Sequence, residues 1–214
     1  MKKWFVVMSL FVLALAAQAQ DGDDAAEKKG FKKENLFTGG SITLSFFNGQ
    51  TVIGANPMFG YKLAEWADAG LAFNYVYSGA RDYQVFNDKI RQTVIGPGVF
   101  TRLYPIRSLF VQAQFERNYS TIKYIYPGGA PTEKYKAEAN SLLLGGGFAQ
   151  GRERGSNTFY YISVLFDVLK NVNSPYVDVS YNPNNPAQQR IDIVPIIRAG
   201  VNVGLFQGRY RNGY

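Results

Sequence analysis

Lys62, Arg102, Glu116, Asp167, Asp192 and Arg198 are three cations and three anions on the polar side of segments whose side chains alternate between apolar and polar. Inside a narrow closed sheet such charges must pair or meet water, because an isolated buried charge is very costly. Two kinds of chemistry fit the set. One is a proton path, ion path or gated pore; the other is a salt-bridge network that fills the interior. A ring of about eight strands encloses little more than its own side chains, which favours the network. Glu116 and Asp167 could also be read as a carboxylate pair for glycoside hydrolysis, but no supporting motif accompanies them.

The chain contains no Cys and no His. That removes disulfides, thiol nucleophiles, Ser-His-Asp and Cys-His catalysis, imidazole bases and nearly all zinc chemistry. No catalytic, cofactor-binding or metal-ligating residue is expected, and no cofactor. Gly96-Pro97-Gly98 and Gly145-Gly146-Gly147 are not phosphate loops: neither opens a helical pattern or carries the Lys-Ser/Thr that a P-loop needs. Close packing within a narrow sheet accounts for them better.

The elements that must hold the charges are short and extended. From Leu36 onward the sequence divides into eight segments of about ten residues with alternating apolar positions, the dyad pattern of membrane strands. In the first, Ile42, Leu44 and Phe46 oppose Ser41, Thr43 and Ser45; in the third, Leu71, Phe73 and Tyr75 oppose Gly70, Ala72 and Asn74. The last is expected to run from Ile191 to Leu205, with Asp192, Arg198, Gly200 and Asn202 on its polar face. Pro57, Pro97 and Pro195 lie mid-segment and lack a ladder donor, so bulges or broken pairing are expected there. The fold expected is all-β, an eight-stranded antiparallel transmembrane β-barrel.

The N-terminus has the form of a cleavable signal peptide over residues 1–19: Lys2 and Lys3, an apolar run from Trp4 to Ala16, then Ala17-Gln18-Ala19. The apolar run is too short to span a bilayer, which needs about 20 residues. Residues 20–35 read as a polar periplasmic linker, 36–206 as the barrel and 207–214 as a C-terminal tail. Removing Lys2 and Lys3 from a formal +7 leaves +5. The densest basic group, Lys28, Lys29, Lys32 and Lys33, is interleaved with acids and reads as solvated linker. No nucleic-acid partner is expected.

Three connections are short, at 64–68, 104–108 and 151–156, and three are long, at 78–89, 120–139 and 169–189. Barrels of the outer membrane have short periplasmic turns and longer outer loops. Aromatics near segment ends, among them Trp66, Tyr75, Tyr77, Tyr104, Tyr119 and Tyr160, fit interfacial girdles. Tyr83, Phe86, Tyr124, Tyr126, Tyr135, Tyr176 and Tyr181 are expected in the outer loops, as a surface that could adhere or bind.

Taken in order, the signal peptide, Asn56-Pro57-Met58-Phe59-Gly60-Tyr61, Ala69-Gly70-Leu71-Ala72-Phe73, Phe100-Thr101-Arg102-Leu103-Tyr104 and Ala199-Gly200-Val201-Asn202-Val203-Gly204-Leu205-Phe206 give the chain a family likeness. It resembles the small outer-membrane β-barrel proteins of Gram-negative bacteria, over Leu36 to Phe206. The resemblance implies a bacterial outer-membrane location, with outer-membrane lipids, periplasmic chaperones and the barrel-assembly machinery as partners. It also implies a C-terminal aromatic assembly signal, for which Phe206 or Tyr214 would be the counterpart. The family includes structural, adhesive and porin-like proteins. The function expected is structural or surface-binding through the long outer loops, without catalysis. The alternatives are a narrow porin or transporter, a soluble periplasmic lipocalin-like barrel, and a barrel-embedded hydrolase working without His.

Overall fold

The computed structural model describes residues 31–47, 50–82, 86–129, 131–153, 156–182 and 185–206. The expected signal peptide, residues 20–30 of the expected linker, Tyr83 and the expected C-terminal tail with Tyr214 lie outside these residues. The fold is all-β, and among the described residues there is no α-helix.

Among the described residues the eight strands expected for the ring form, and two more make a separate hairpin. They are β1 (Leu36–Phe47), β2 (Gln50–Ala64), β3 (Ala67–Arg81), β4 (Lys89–Ile106), β5 (Leu109–Ile125), β6 (Glu133–Gln150), β7 (Phe159–Asp167), β8 (Val177–Asn182), β9 (Asn185–Ile193) and β10 (Ile196–Gly204). Strands β1 to β7 pair antiparallel in chain order, and β10 pairs with both β7 and β1, so eight strands close into a ring. Strands β8 and β9 make a separate hairpin.

The extra pair comes from the region expected to be a loop and one long final strand. Val194 and Pro195 interrupt that strand, because Pro supplies no N–H to a ladder. The two halves then pair with different partners. Pro57 and Pro97 cause a milder break. Pairing lapses opposite them on one side, between Ala55 and Met58 and between Ile95 and Gly98, yet the register on either side is unchanged.

Strand runs into both ends of the first two expected long loops and takes up most of the second. Pairing continues to Arg81↔Lys89 and to Tyr124↔Glu133, which leaves connections of only 82–88 and 126–132. Strands β2 to β6 therefore reach 15–18 residues. Their outer ends carry few alternating apolar residues but many Thr, Tyr and Ile, which suit extended backbone.

Both chain ends of the ring lie at one end, where Phe37 pairs with Gly204 beside the tight turns at Glu65-Trp66 and Arg107-Ser108. We call this the turn end. The last residues of the expected linker belong to the ring. Lys33–Asn35 forms a 3-10 turn, Asn35 Nδ2 donates to Lys62 O at 3.0 Å and Lys32 N to the Tyr61 hydroxyl at 3.1 Å. Inside the turn end, Phe37, Met58, Phe100, Tyr104, Phe110, Phe159 and Tyr161 form an aromatic cluster. Phe37 lies directly across from Gly60, and a Cβ there would run into its ring. The missing side chain is thus the space that the aromatic fills.

Along the rest of the ring the polar faces point inward. Asn56, Asn74, Arg102, Gln112, Gln114, Glu116, Asn118, Ser141, Asp167, Arg198 and Asn202 are buried. Outward stand Ile42, Phe59, Leu71, Phe73, Ile95, Val99, Val111, Phe115, Ile162, Val164, Phe166 and Ile197, all exposed.

Candidate functional site: a polar chain through the ring

Strand β5 supplies the spine. Gln112, Gln114 and Glu116 are two residues apart and so share the inner face. Each hands a hydrogen bond to the next: Gln112 Nε2 to Gln114 Oε1 at 2.8 Å, and Gln114 Nε2 to Glu116 Oε1 at 2.7 Å. Room for Glu116 comes from Gly98, its neighbour across the ladder, since a Cβ there would press on the Glu116 side chain.

The two ends of this spine meet cations from opposite walls. At the lower end Arg102 Nε donates to Gln112 Oε1 at 2.7 Å, and its guanidinium lies 4.3 Å from the Tyr161 ring centroid, with Phe100 and Phe110 at 5.3 and 5.1 Å. Among the described residues Arg102 forms no salt bridge. Three ring faces and amide oxygens hold its charge instead. At the upper end Arg198 of β10 donates to Gln114 and to Glu116, each at 3.2 Å, with both partners of the ion pair buried.

A segment between strands completes the chain. Residues 168–176 follow β7 and turn into the ring, bringing Tyr176 to 8% exposure. Its hydroxyl donates to Glu116 Oε2 at 2.6 Å and accepts from Asn74 Nδ2 at 2.8 Å. Asp167 anchors the other end of the segment. Its carboxylate accepts from Ser174 Oγ at 2.6 Å, from Leu169 N at 3.1 Å and from Leu142 N at 3.2 Å. Ser174 in turn contacts Ser141, which accepts from Asn118.

A second buried charge group lies at the turn end. Asp68 faces Arg152 at 3.7 Å, and Arg152 donates to Glu65 O and stacks 3.7 Å from the Tyr104 centroid. Lys62 bonds Glu65 at 2.6 Å.

The six charges singled out from sequence therefore divide. Arg102, Glu116 and Arg198 join one hydrogen-bonded chain, and Asp167 reaches it through Ser174 and Tyr176. Lys62 is buried but belongs to the turn-end group. Asp192 is a correction. It lies on the β8–β9 hairpin, half exposed, paired with Arg190 at 2.9 Å, because the break at Val194-Pro195 separates its strand from the ring. Tyr176 is another correction, since it fills the interior instead of an outer surface; so are Tyr104, which sits in the interior aromatic cluster instead of a girdle, and Tyr124, which is buried on β5 against Asp88 instead of lying on a loop surface. Phe206 is exposed with φ 61° two residues beyond β10.

Sequence reading missed Asp68 and Arg152, which it left in turns. Asp68 carried a faint signal as the second residue of a strand; nothing local marked Arg152 or Tyr176. Among the described residues no cluster of three or more acidic groups could hold a metal ion.

Compared with family models and with curated proteins, the chain matches none.

Proposed function

We propose that this chain is an integral β-barrel protein of a bacterial outer membrane, non-catalytic, with a structural or surface-binding role and an interior closed by its own side chains. One observation carries the reading: the polarity of the ring is inverted. Charged and amide side chains are buried inside while large aliphatic and aromatic side chains stand exposed around the outside. In water such an exterior is an extended apolar patch that a monomer does not tolerate; in hydrocarbon it is the favoured surface, and a closed ring leaves no unpaired edge. A soluble ligand-storing barrel carries the opposite polarity.

The interior suits a brace. Arg102, the β5 spine, Arg198 and Tyr176 tie β4, β5, β10 and β3 to each other across the ring. A gated narrow pore is the second reading. It is favoured by the fact that the chain is closed by residues 168–176, a non-strand segment held by the two carboxylates of Glu116 and Asp167.

Fractionation of expressing cells, with an SDS gel of each fraction before and after boiling, tests the first reading. Outer-membrane protein whose mobility changes on boiling is the expected result. A soluble periplasmic protein with unchanged mobility overturns it. Planar-bilayer recordings then separate brace from pore: Tyr176→Phe and Asp167→Asn variants that conduct where the parent is silent would favour the gate.

A further inference from the structure

The outer ends of β3 to β6 carry an arrangement that the interior brace does not use. Just above the apolar wall, Tyr75 of β3 and Tyr119 of β5 share one outward row through Ile95. Two rows further out, each step roughly 7 Å, Arg91 stands directly opposite Lys123, and Lys123 directly opposite Lys134. Arg81 stands opposite Lys89 at the strand ends. Like charges directly across a ladder repel and destabilise it. Among the described residues none of these five cations forms an ion pair.

The nearby acids are otherwise engaged. Asp82 accepts from Asn87 N, Asp88 is bonded to the Tyr124 hydroxyl, Glu133 to the Tyr135 hydroxyl and Glu138 to Arg117. Three of the cations also line a recess of about 220 Å³ on the wall, formed by Arg81, Lys89 and Arg91 with Thr51 and Tyr77. Repulsion held in register, a concavity that gathers it, and tyrosines one to two rows below together call for an anion at headgroup height.

We propose that this recess and the cation rows beside it bind the phosphate of a lipid headgroup in the leaflet that meets these strand ends. The inference rests on the membrane reading above. Lipid is the source favoured over free phosphate because the cations stand on the same outward face as the apolar wall, two to three rows beyond the Tyr75–Tyr119 row, where a headgroup is fixed by its own acyl chains and its effective concentration is high.

The test is electron paramagnetic resonance of the protein in phosphatidylcholine vesicles, with spin-labelled phosphatidic acid or spin-labelled phosphatidylcholine as probe. The parent is expected to hold phosphatidic acid in its motion-restricted shell at least roughly fivefold more strongly than phosphatidylcholine, the effect of about one cation at a membrane surface. Arg81→Gln with Arg91→Gln should reduce that preference several-fold. The charge-matched control Lys33→Gln with Arg107→Gln, at the turn end, should keep it. Equal preference in the two double variants overturns the proposal. Loss of the preference on adding inorganic phosphate at constant ionic strength assigns the recess to free phosphate and also overturns it. Absence of a motion-restricted component with both probes means that no lipid surrounds the ring, and the membrane reading falls first.

Discussion

At the scale of single residues, the decisive fact is that Glu116 is buried together with Arg198 and Tyr176. Removing one member of a buried ion pair leaves the other uncompensated, at a cost of about 3–5 kcal/mol. Glu116→Ala should lower unfolding free energy in urea by that amount, followed by tyrosine and tryptophan fluorescence of the refolded protein. Glu116→Leu with Arg198→Met should cost less than either single change, because it leaves no stranded charge; a fully additive double variant would contradict the pairing. Tyr176→Phe removes both a donor to Glu116 and an acceptor for Asn74, and should cost about 1–3 kcal/mol in the same assay.

At the scale of elements, the seam between β1 and β2 depends on Phe37 lying over Gly60. Phe37→Ala opens a cavity in the aromatic cluster, with an expected loss of about 3–5 kcal/mol, and Gly60→Val should lose the folded band on an unboiled gel because side chain and ring compete for one space. The β8–β9 hairpin is different. Among the described residues its strands pair with each other alone, and Val194 N bonds Tyr176 O at 3.1 Å across its base. Deleting residues 178–192 should therefore leave the boiling-dependent mobility shift intact. Loss of the shift would show that the hairpin supports the ring.

For the whole molecule, the inverted polarity makes position along the wall the controlling variable. Val99 lies mid-wall and Ile106 at the turn end, both exposed. In a bilayer Val99→Arg should cost about 2–4 kcal/mol and Ile106→Arg about 0–1 kcal/mol, read from urea unfolding in vesicles. Equal small effects at the two sites would argue that no hydrocarbon surrounds the ring.

The alternation of apolar and polar residues was enough to mark all eight wall strands and to assign Arg102, Glu116, Asp167 and Arg198 to one face, because a strand's side-chain period is set by local backbone geometry. The absence of Cys and His limited the chemistry in the same direct way. What alternation could not show was where a strand ends or which strand it joins. Ser78 to Lys89 and Ser120 to Ala139 looked like loops, yet the ends of the first and most of the second continue ladders set by partners up to 36 residues away. Asp192 and Arg198 are six residues apart and look like one strand, but a proline divides them between two sheets. Tyr176 enters the ring because Glu116 and Asn74, 60 and 102 residues earlier, leave hydrogen bonds for its hydroxyl to complete. Local period fixed the faces; only closure of the ring decided which buried groups would meet, because those contacts depend on strand order and register.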